Sequence, residues 1–153
     1  MLFRGISQAS IDVKGRLGLP SRFREAISGT GADNLVVSID VQDRCLLVYP
    51  THEWDLVQRK LEALSNVSQK NRILQRLLIG HATDVEIDKS GRILLPSIHR
   101  KYAFLQKKAT ILGQGNKLEI WSENEWQERM TNWLKEKDKL LGFSGDLETR
   151  ITI

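Results

Sequence analysis

Two five-residue stretches carry the chemistry this sequence has to offer: "DVKGR", Asp12 to Arg16, and "DKSGR", Asp88 to Arg92. A short carboxylate such as Asp12 or Asp88 accepts hydrogen bonds from backbone N–H groups a few residues on, which closes a tight turn. Gly15 and Gly91 stand where such a turn needs a positive φ. Arg16 and Arg92 then leave the turn as planar five-donor forks, a shape that suits a phosphate or the edge of a guanine. Lys14 adds charge to the first turn and Lys89 to the second. The same residues have an internal use, in which Asp and Arg salt-bridge across their own turn and hold a corner of the fold. A single turn is best explained that way. Two of them, each in basic surroundings, favour an anionic ligand.

Catalysis fits these residues poorly. Paired carboxylates that work as acid and base need one pKa raised by burial, whereas each Asp here has an Arg of its own that keeps it ionised. No Ser-His-Asp or Cys-His set is visible, and "GQGN", Gly113 to Asn116, lacks the Lys-Ser/Thr ending and the helix of a phosphate loop. His52, His81 and His99 are scattered, and the lone Cys45 lies in the apolar run "CLLVYP" as a small buried hydrophobe. No enzyme, metal or cofactor is expected.

The charge is gathered around the two turns. Residues 1–24 hold Arg4, Lys14, Arg16, Arg22 and Arg24 against Asp12, and residues 88–108 hold Lys89, Arg92, Arg100, Lys101, Lys107 and Lys108 against Asp88. These segments carry net +4 and +5 within a chain of net +4, so the other 108 residues carry −5. Such a distribution is the footprint of a polyanion-binding surface on an otherwise ordinary globular chain. No apolar run approaches the ~18 residues of a membrane span, and "MLFRGIS" has no signal-peptide pattern, so a cytosolic protein is expected.

The elements that must position the turns come in two copies. An offset of 76 places Asp12 on Asp88, Gly15 on Gly91, Arg16 on Arg92, Leu19 on Leu95, Pro20 on Pro96, Ser21 on Ser97 and Arg24 on Arg100. After a four-residue deletion, an offset of 72 places Leu46 on Leu118, Glu53 on Glu125 and Trp54 on Trp126, with Tyr49 matched by Trp121. Each copy reads as strand, turn, short strand ended by proline, a brief helix ("PSRFREAI", "PSIHRKYAFL"), then a hairpin and an aromatic-anchored helix. The hairpins are "LVVSID" with "CLLVYP", and "ATILGQ" with "KLEIWS".

Helical spacing puts Trp54, Val57, Leu61 and Leu64 on one face with Thr51 as N-cap, and Trp126, Met130 and Trp133 on another with Ser122 and Glu125 as a capping box. Between the copies "SQKNRILQRLLIG" predicts a helix with Ile73, Leu74, Leu77 and Leu78 inward and Gly80 as a left-handed stop. The tail "LLGFSGDLETRITI" reads as a loose arm. The fold class is α+β. Units of about fifty residues without disulfides bury too little alone, so the two copies should close on each other into one barrel with a pseudo-twofold axis. The boundaries are residues 5–52 for the first repeat, 53–79 for connecting helices, 80–124 for the second repeat and 125–153 for a C-terminal helix and tail.

The phrase Asp-x-x-Gly-Arg-hydrophobic-x-Leu-Pro resembles the signature of the SpoVT-AbrB, or swapped-hairpin, DNA-binding superfamily. Its duplication, with "MLFRG", "RCLLVYPTHEWD" and "RILQRLLIGHATDVEIDKSGRILLP", is similar to the MraZ family of bacterial transcriptional regulators over residues 1 to about 135. The resemblance implies a swapped-hairpin barrel within one chain, assembly of protomers into a ring, and a nucleoid-associated protein. It also implies binding to repeated elements in double-stranded DNA upstream of a cluster of division and cell-wall genes, which the protein represses together with its own gene. A closing head-to-tail interface would make those elements direct repeats. The family's Asp-x-x-x-Arg contacts transfer to Asp12 and Arg16 and to Asp88 and Arg92, and its further basic positions to Arg24 and Arg100. Lys14 aligns with Ser90 and Lys89 with Val13, so the two turns keep one shape with different chemistry. Related barrels that serve as antitoxins or adaptors leave a second reading, a protein-interaction module.

Overall fold

A computed structural model describes residues 3–31 and 34–142. The first copy supplies β1 (Phe3–Ser10), β2 (Arg16–Gly18), α1 (Ser21–Ser28), β3 (Asn34–Ile39), β4 (Leu46–Pro50) and α2 (Thr51–Glu62). After α3 (Gln69–Leu78) the order repeats as β5 (Thr83–Glu86), β6 (Arg92–Leu94), α4 (Ser97–Tyr102), β7 (Lys108–Gly115), β8 (Leu118–Ser122) and α5 (Glu123–Leu141). The fold is α+β. One compact unit runs as far as Glu123 and a second begins at Asn124. Within the second, Trp126 and Trp133 meet edge to face at 5.7 Å, as their spacing predicts, and the helix is interrupted at Glu136 (φ −111°, ψ 15°). The tail past Gly142 lies outside the described residues. No described helix is long and apolar enough to cross a membrane.

The two copies interleave. Six antiparallel strands lie in the order β1-β7-β8-β4-β3-β5, so the first strand of each copy pairs with the third strand of the other. The short strands β2 and β6 pair with each other. In that ribbon Arg16 faces Leu94, Leu17 faces Ile93 and Gly18 faces Arg92. Leu17 and Ile93 are the mates the repeat alignment gives, and the flanking pairs Arg16–Leu94 and Gly18–Arg92 exchange with each other under that alignment, so the pseudo-twofold axis passes between Leu17 and Ile93. At the centre of the large sheet Leu46 faces Ile120, Leu47 faces Glu119 and Val48 faces Leu118, which puts the axis between Leu47 and Glu119.

Strand alternation explains why β3 and β4 are nearly all apolar. Successive side chains point to opposite faces, and both faces are covered. Leu35, Val37, Ile39, Leu46 and Val48 join a core shared by both copies, with Leu17, Phe23, Ile93 and Leu95. Val36, Leu47 and Tyr49 turn the other way, onto Trp54 of α2, with Val57 and Leu78 at the margin. Leu17 and Ile93 are fully buried, and burial of such a side chain stabilises by about 1.5–3 kcal/mol.

Four expectations change. The sheet is not closed into a barrel: β1 and β5 are its open edges and the β2–β6 ribbon stands apart. Pro20 and Pro96, which follow within two residues of these strands, limit them to three residues each, and toward β1 the ribbon makes an isolated bridge, Leu17 to Ile11, rather than a ladder. The β1 edge is instead blunted by Arg22, whose Nη2 donates to the Ile6 carbonyl (2.8 Å) and to Ser7 Oγ (2.6 Å). Thr51 does not cap α2; it is the first helical residue after Pro50, and its hydroxyl donates to the Asn34 carbonyl at 2.9 Å. Gly80 is not left-handed; it is needed because a Cβ there would lie 2.1 Å from the Arg76 carbonyl oxygen. Leu78 lies at the second core cluster as expected and Leu74 is half-buried, but Ile73 and Leu77 face solvent.

Candidate nucleic-acid interface

The β1–β2 turn is built around one carboxylate. Asp12 Oδ1 accepts from the backbone N–H of Lys14 (3.0 Å) and of Arg16 (2.9 Å), and Oδ2 accepts from Arg16 Nε at 2.8 Å. Two main-chain bonds close the loop, Asp12 N–H to the Arg16 carbonyl and Gly15 N–H to the Asp12 carbonyl, both 3.0 Å. Gly15 sits at φ +89°, which an L side chain rarely tolerates. The β5–β6 turn repeats every bond. Asp88 Oδ1 accepts from Ser90 and Arg92 N–H (2.9 Å each) and Oδ2 from Arg92 Nε (3.1 Å), with Gly91 at φ +75°.

The internal salt bridge weighed from sequence is therefore made in both copies, and it does not consume the arginine. In Arg16 the bridge engages Nε, and among the described residues no hydrogen bond engages its terminal Nη groups. A guanidinium oriented through Nε still offers four N–H donors for a bidentate acceptor. The backbone N–H of Arg16 is the main cause that holds Asp12 below the usual carboxylate range, and the N–H of Arg92 does the same for Asp88. Both carboxylates stay ionised near neutral pH and keep their arginines aimed. Neither suits the role of a general acid.

The ribbon register aligns the forks. Leu17 and Ile93 point into the core, so the opposite face of β2–β6 presents Arg16, Arg92, Leu94 and Gly18. Arg92 Nη1 also comes within 3.8 Å of Asp12 Oδ2, which ties the two turns together. Lys14 and Lys89 are exposed beside them. The structure thus brings Asp12, Lys14, Arg16, Asp88, Lys89 and Arg92 to one face.

Arg24 and Arg100 take a different position. Each donates through Nε to a carbonyl of its own copy, Arg24 to Leu19 and Arg100 to Leu95, at 3.1 Å. Each then crosses to the other copy. A Cβ on Gly15 would lie 2.7 Å from Arg100 Nε, and one on Gly91 would lie 2.7 Å from Arg24 Cδ. The turn glycines are demanded by φ, and the end of an arginine from the other copy is laid over each of them. Main-chain bonds from Leu19 N–H to the Gly91 carbonyl and from Leu95 N–H to the Gly15 carbonyl, both 2.9 Å, complete the brace. Sequence reasoning found these arginines and missed this cross-copy role, because the glycine each one covers belongs to the opposite repeat. It also passed over Val13 and Leu94, which are 95% and 57% exposed.

Comparison with known proteins bears on this face. The family model described as "MraZ protein, putative antitoxin-like" matches residues 2–77 and again residues 78–139. A protein of Marinomonas sp. (strain MWYL1) named "Transcriptional regulator MraZ" is 53% identical over 135 residues, 88% of this chain and 89% of the relative. Proteins of the same name from Hydrogenovibrio crunogenus (48% identical, 82% and 83% covered) and Legionella pneumophila strain Corby (45%, 97% and 98% covered) are similar over most of their lengths. With a duplicated turn signature, an interleaved pair of copies and these relatives in agreement, the chain belongs to the MraZ family.

Proposed function

We propose that this protein is a transcriptional regulator that binds double-stranded promoter DNA through its paired turns. The observation that carries the reading is the outward face of the β2–β6 ribbon, where Arg16 and Arg92 are held by their aspartates and flanked by Lys14 and Lys89. A two-stranded ribbon fits the major groove, and a bidentate arginine there pairs with guanine O6 and N7. The lysines supply phosphate contacts. Residues 5–52 and 80–124 act as one reading unit, and Arg24 and Arg100, each laid against the turn glycine of the opposite copy, add basic charge to the DNA-binding surface beside the turns.

One protomer offers few phosphate contacts, so affinity comes from several protomers engaging successive sites, with a gain of roughly 10²–10⁴ from linkage alone. A ring closed by head-to-tail contacts fits direct repeats upstream of the protein's own gene and of the division and cell-wall cluster it represses. The solvent-facing Leu56, Ile73 and Leu77 of α2 and α3 are offered as part of that subunit interface. The proposed setting is the cytoplasm, on the nucleoid.

The test is a gel shift on DNA immediately upstream of the gene, comparing the wild type with the Arg16→Ala/Arg92→Ala variant across a salt series. The two lysines assigned to phosphates give log Kd a slope of about 2 per protomer against log salt. The double variant should lose binding and retain its oligomeric state. Unchanged affinity would overturn the reading in favour of a protein-interaction module on the same scaffold.

A further inference from the structure

The two turns share a backbone, but their exposed side chains differ in a consistent way. On the Arg16 side stands Val13, a β-branched apolar residue 95% exposed between Asp12 and Lys14, the first residue that bonds it. Beside Arg16 across the ribbon stands Leu94, 57% exposed. Their symmetry mates on the Arg92 side are Lys89 and Gly18. Each end keeps one lysine, Lys14 or Lys89, but only the Arg16 end sets two apolar side chains beside its arginine, where the Arg92 end has Lys89 and Gly18.

We infer that the Arg16 end recognises thymine through its C5-methyl group, by apolar contact with Val13 and Leu94, whereas the Arg92 end does not. This rests on the DNA reading proposed above. The charge of Arg16, Arg92, Lys14 and Lys89 selects a polyanion for this face. The one apolar group a DNA duplex offers in its major groove is the thymine methyl. An apolar side chain held on the rim of a rigid turn contributes nothing to the core at 95% exposure. Next to a guanine-reading arginine it discriminates the neighbouring base. Lys89 in the same place of the other copy meets a phosphate instead, with no base preference. The pseudo-symmetric molecule thus has a direction on its site, with the Arg16 end at a guanine–thymine step.

The test needs no variant for its first arm. A duplex from the region upstream of the gene, footprinted to locate the protected bases, is compared with the same duplex in which protected thymines are replaced one at a time by deoxyuridine, which removes only the methyl. Wild-type binding, followed by fluorescence anisotropy, should weaken about fourfold at the contacted thymine, the worth of burying one methyl-sized group. In the second arm, Val13→Ala/Leu94→Ala, both at exposed positions, should bind the two duplexes equally. Equal binding of both duplexes by the wild type overturns the inference, as does a methyl preference that survives in the double variant. Full binding by Arg16→Ala/Arg92→Ala overturns the DNA reading itself, a separate outcome.

Discussion

At the scale of single residues, the question is whether Asp12 and Asp88 help or hinder an anionic ligand. Counting charge, each one repels DNA, and its removal should strengthen binding. The geometry argues the reverse. Each carboxylate accepts two backbone N–H groups and one Nε, so it fixes the turn and the direction of its arginine at once. Without it, Arg16 or Arg92 must be ordered on binding, at about 0.5–1.5 kcal/mol per side chain. Asp12→Ala or Asp88→Ala should therefore weaken DNA binding by up to about tenfold at low salt, read by gel shift, and a gain in affinity would sink the argument. These residues were legible in the sequence because turn chemistry is local. The cover that Arg24 and Arg100 lay over the opposite glycine was not legible, since the partners lie 67 and 85 positions apart.

At the scale of elements, α1 and α4 occupy equivalent places, yet their buried faces differ. Phe23 of α1 is replaced in α4 by His99, only 1% exposed. His99 Nε2 donates to the His81 carbonyl at 2.6 Å and thereby ties α4 to the segment that leads into β5. Burial is the main cause that lowers its pKa from the ordinary 6.5, so the folded protein holds His99 neutral. A group whose folded pKa is depressed gives its full contribution above the unfolded value. Stability is lost as pH falls below about 6.5, where the unfolded chain gains a proton that the fold refuses. The melting temperature should fall between pH 7 and pH 5.5, and His99→Phe should flatten that slope while it leaves the His81 carbonyl short of a donor. An equal slope in the variant would assign the effect elsewhere. The helix itself was plain from "PSIHRKYAFL", and the one signal that could have marked the histidine as core is the offset of 76 that lays it on Phe23. Periodicity also misjudged Ile73 and Leu77, whose apolar stripe is wider than the surface β3 and β4 offer to α3.

At the scale of the whole molecule, the repeat and its element order could be read from identities at offsets of 76 and 72, but the interleaving could not. Local pattern says that a segment is a strand; it does not say which strand lies beside it. The pairing β1·β7, β3·β5, β2·β6 and β4·β8 means that each copy's sheet is completed by the other copy. A chain cut to residues 1–79 has its β1, β2, β3 and β4 edges all unsatisfied, and only a second copy of itself can supply the partners. In such a dimer Leu17 would face Leu17 and Leu47 would face Leu47, both apolar. The fragment should therefore melt with a midpoint that rises with protein concentration, the mark of folding linked to association. Residues 80–141 lack that option at neutral pH, because Glu119 would face Glu119 across the axis, and like charges directly opposite destabilise a pair. Burial already raises the Glu119 pKa in the intact chain, where Leu47 is its neighbour and Trp121 Nε1 its donor at 2.9 Å. Glu119→Leu should rescue the second fragment at pH 7, with circular dichroism across a dilution series as the measurement. A concentration-independent, cooperative melt of residues 1–79 would show that one copy encloses its own core and that the interleaving is dispensable.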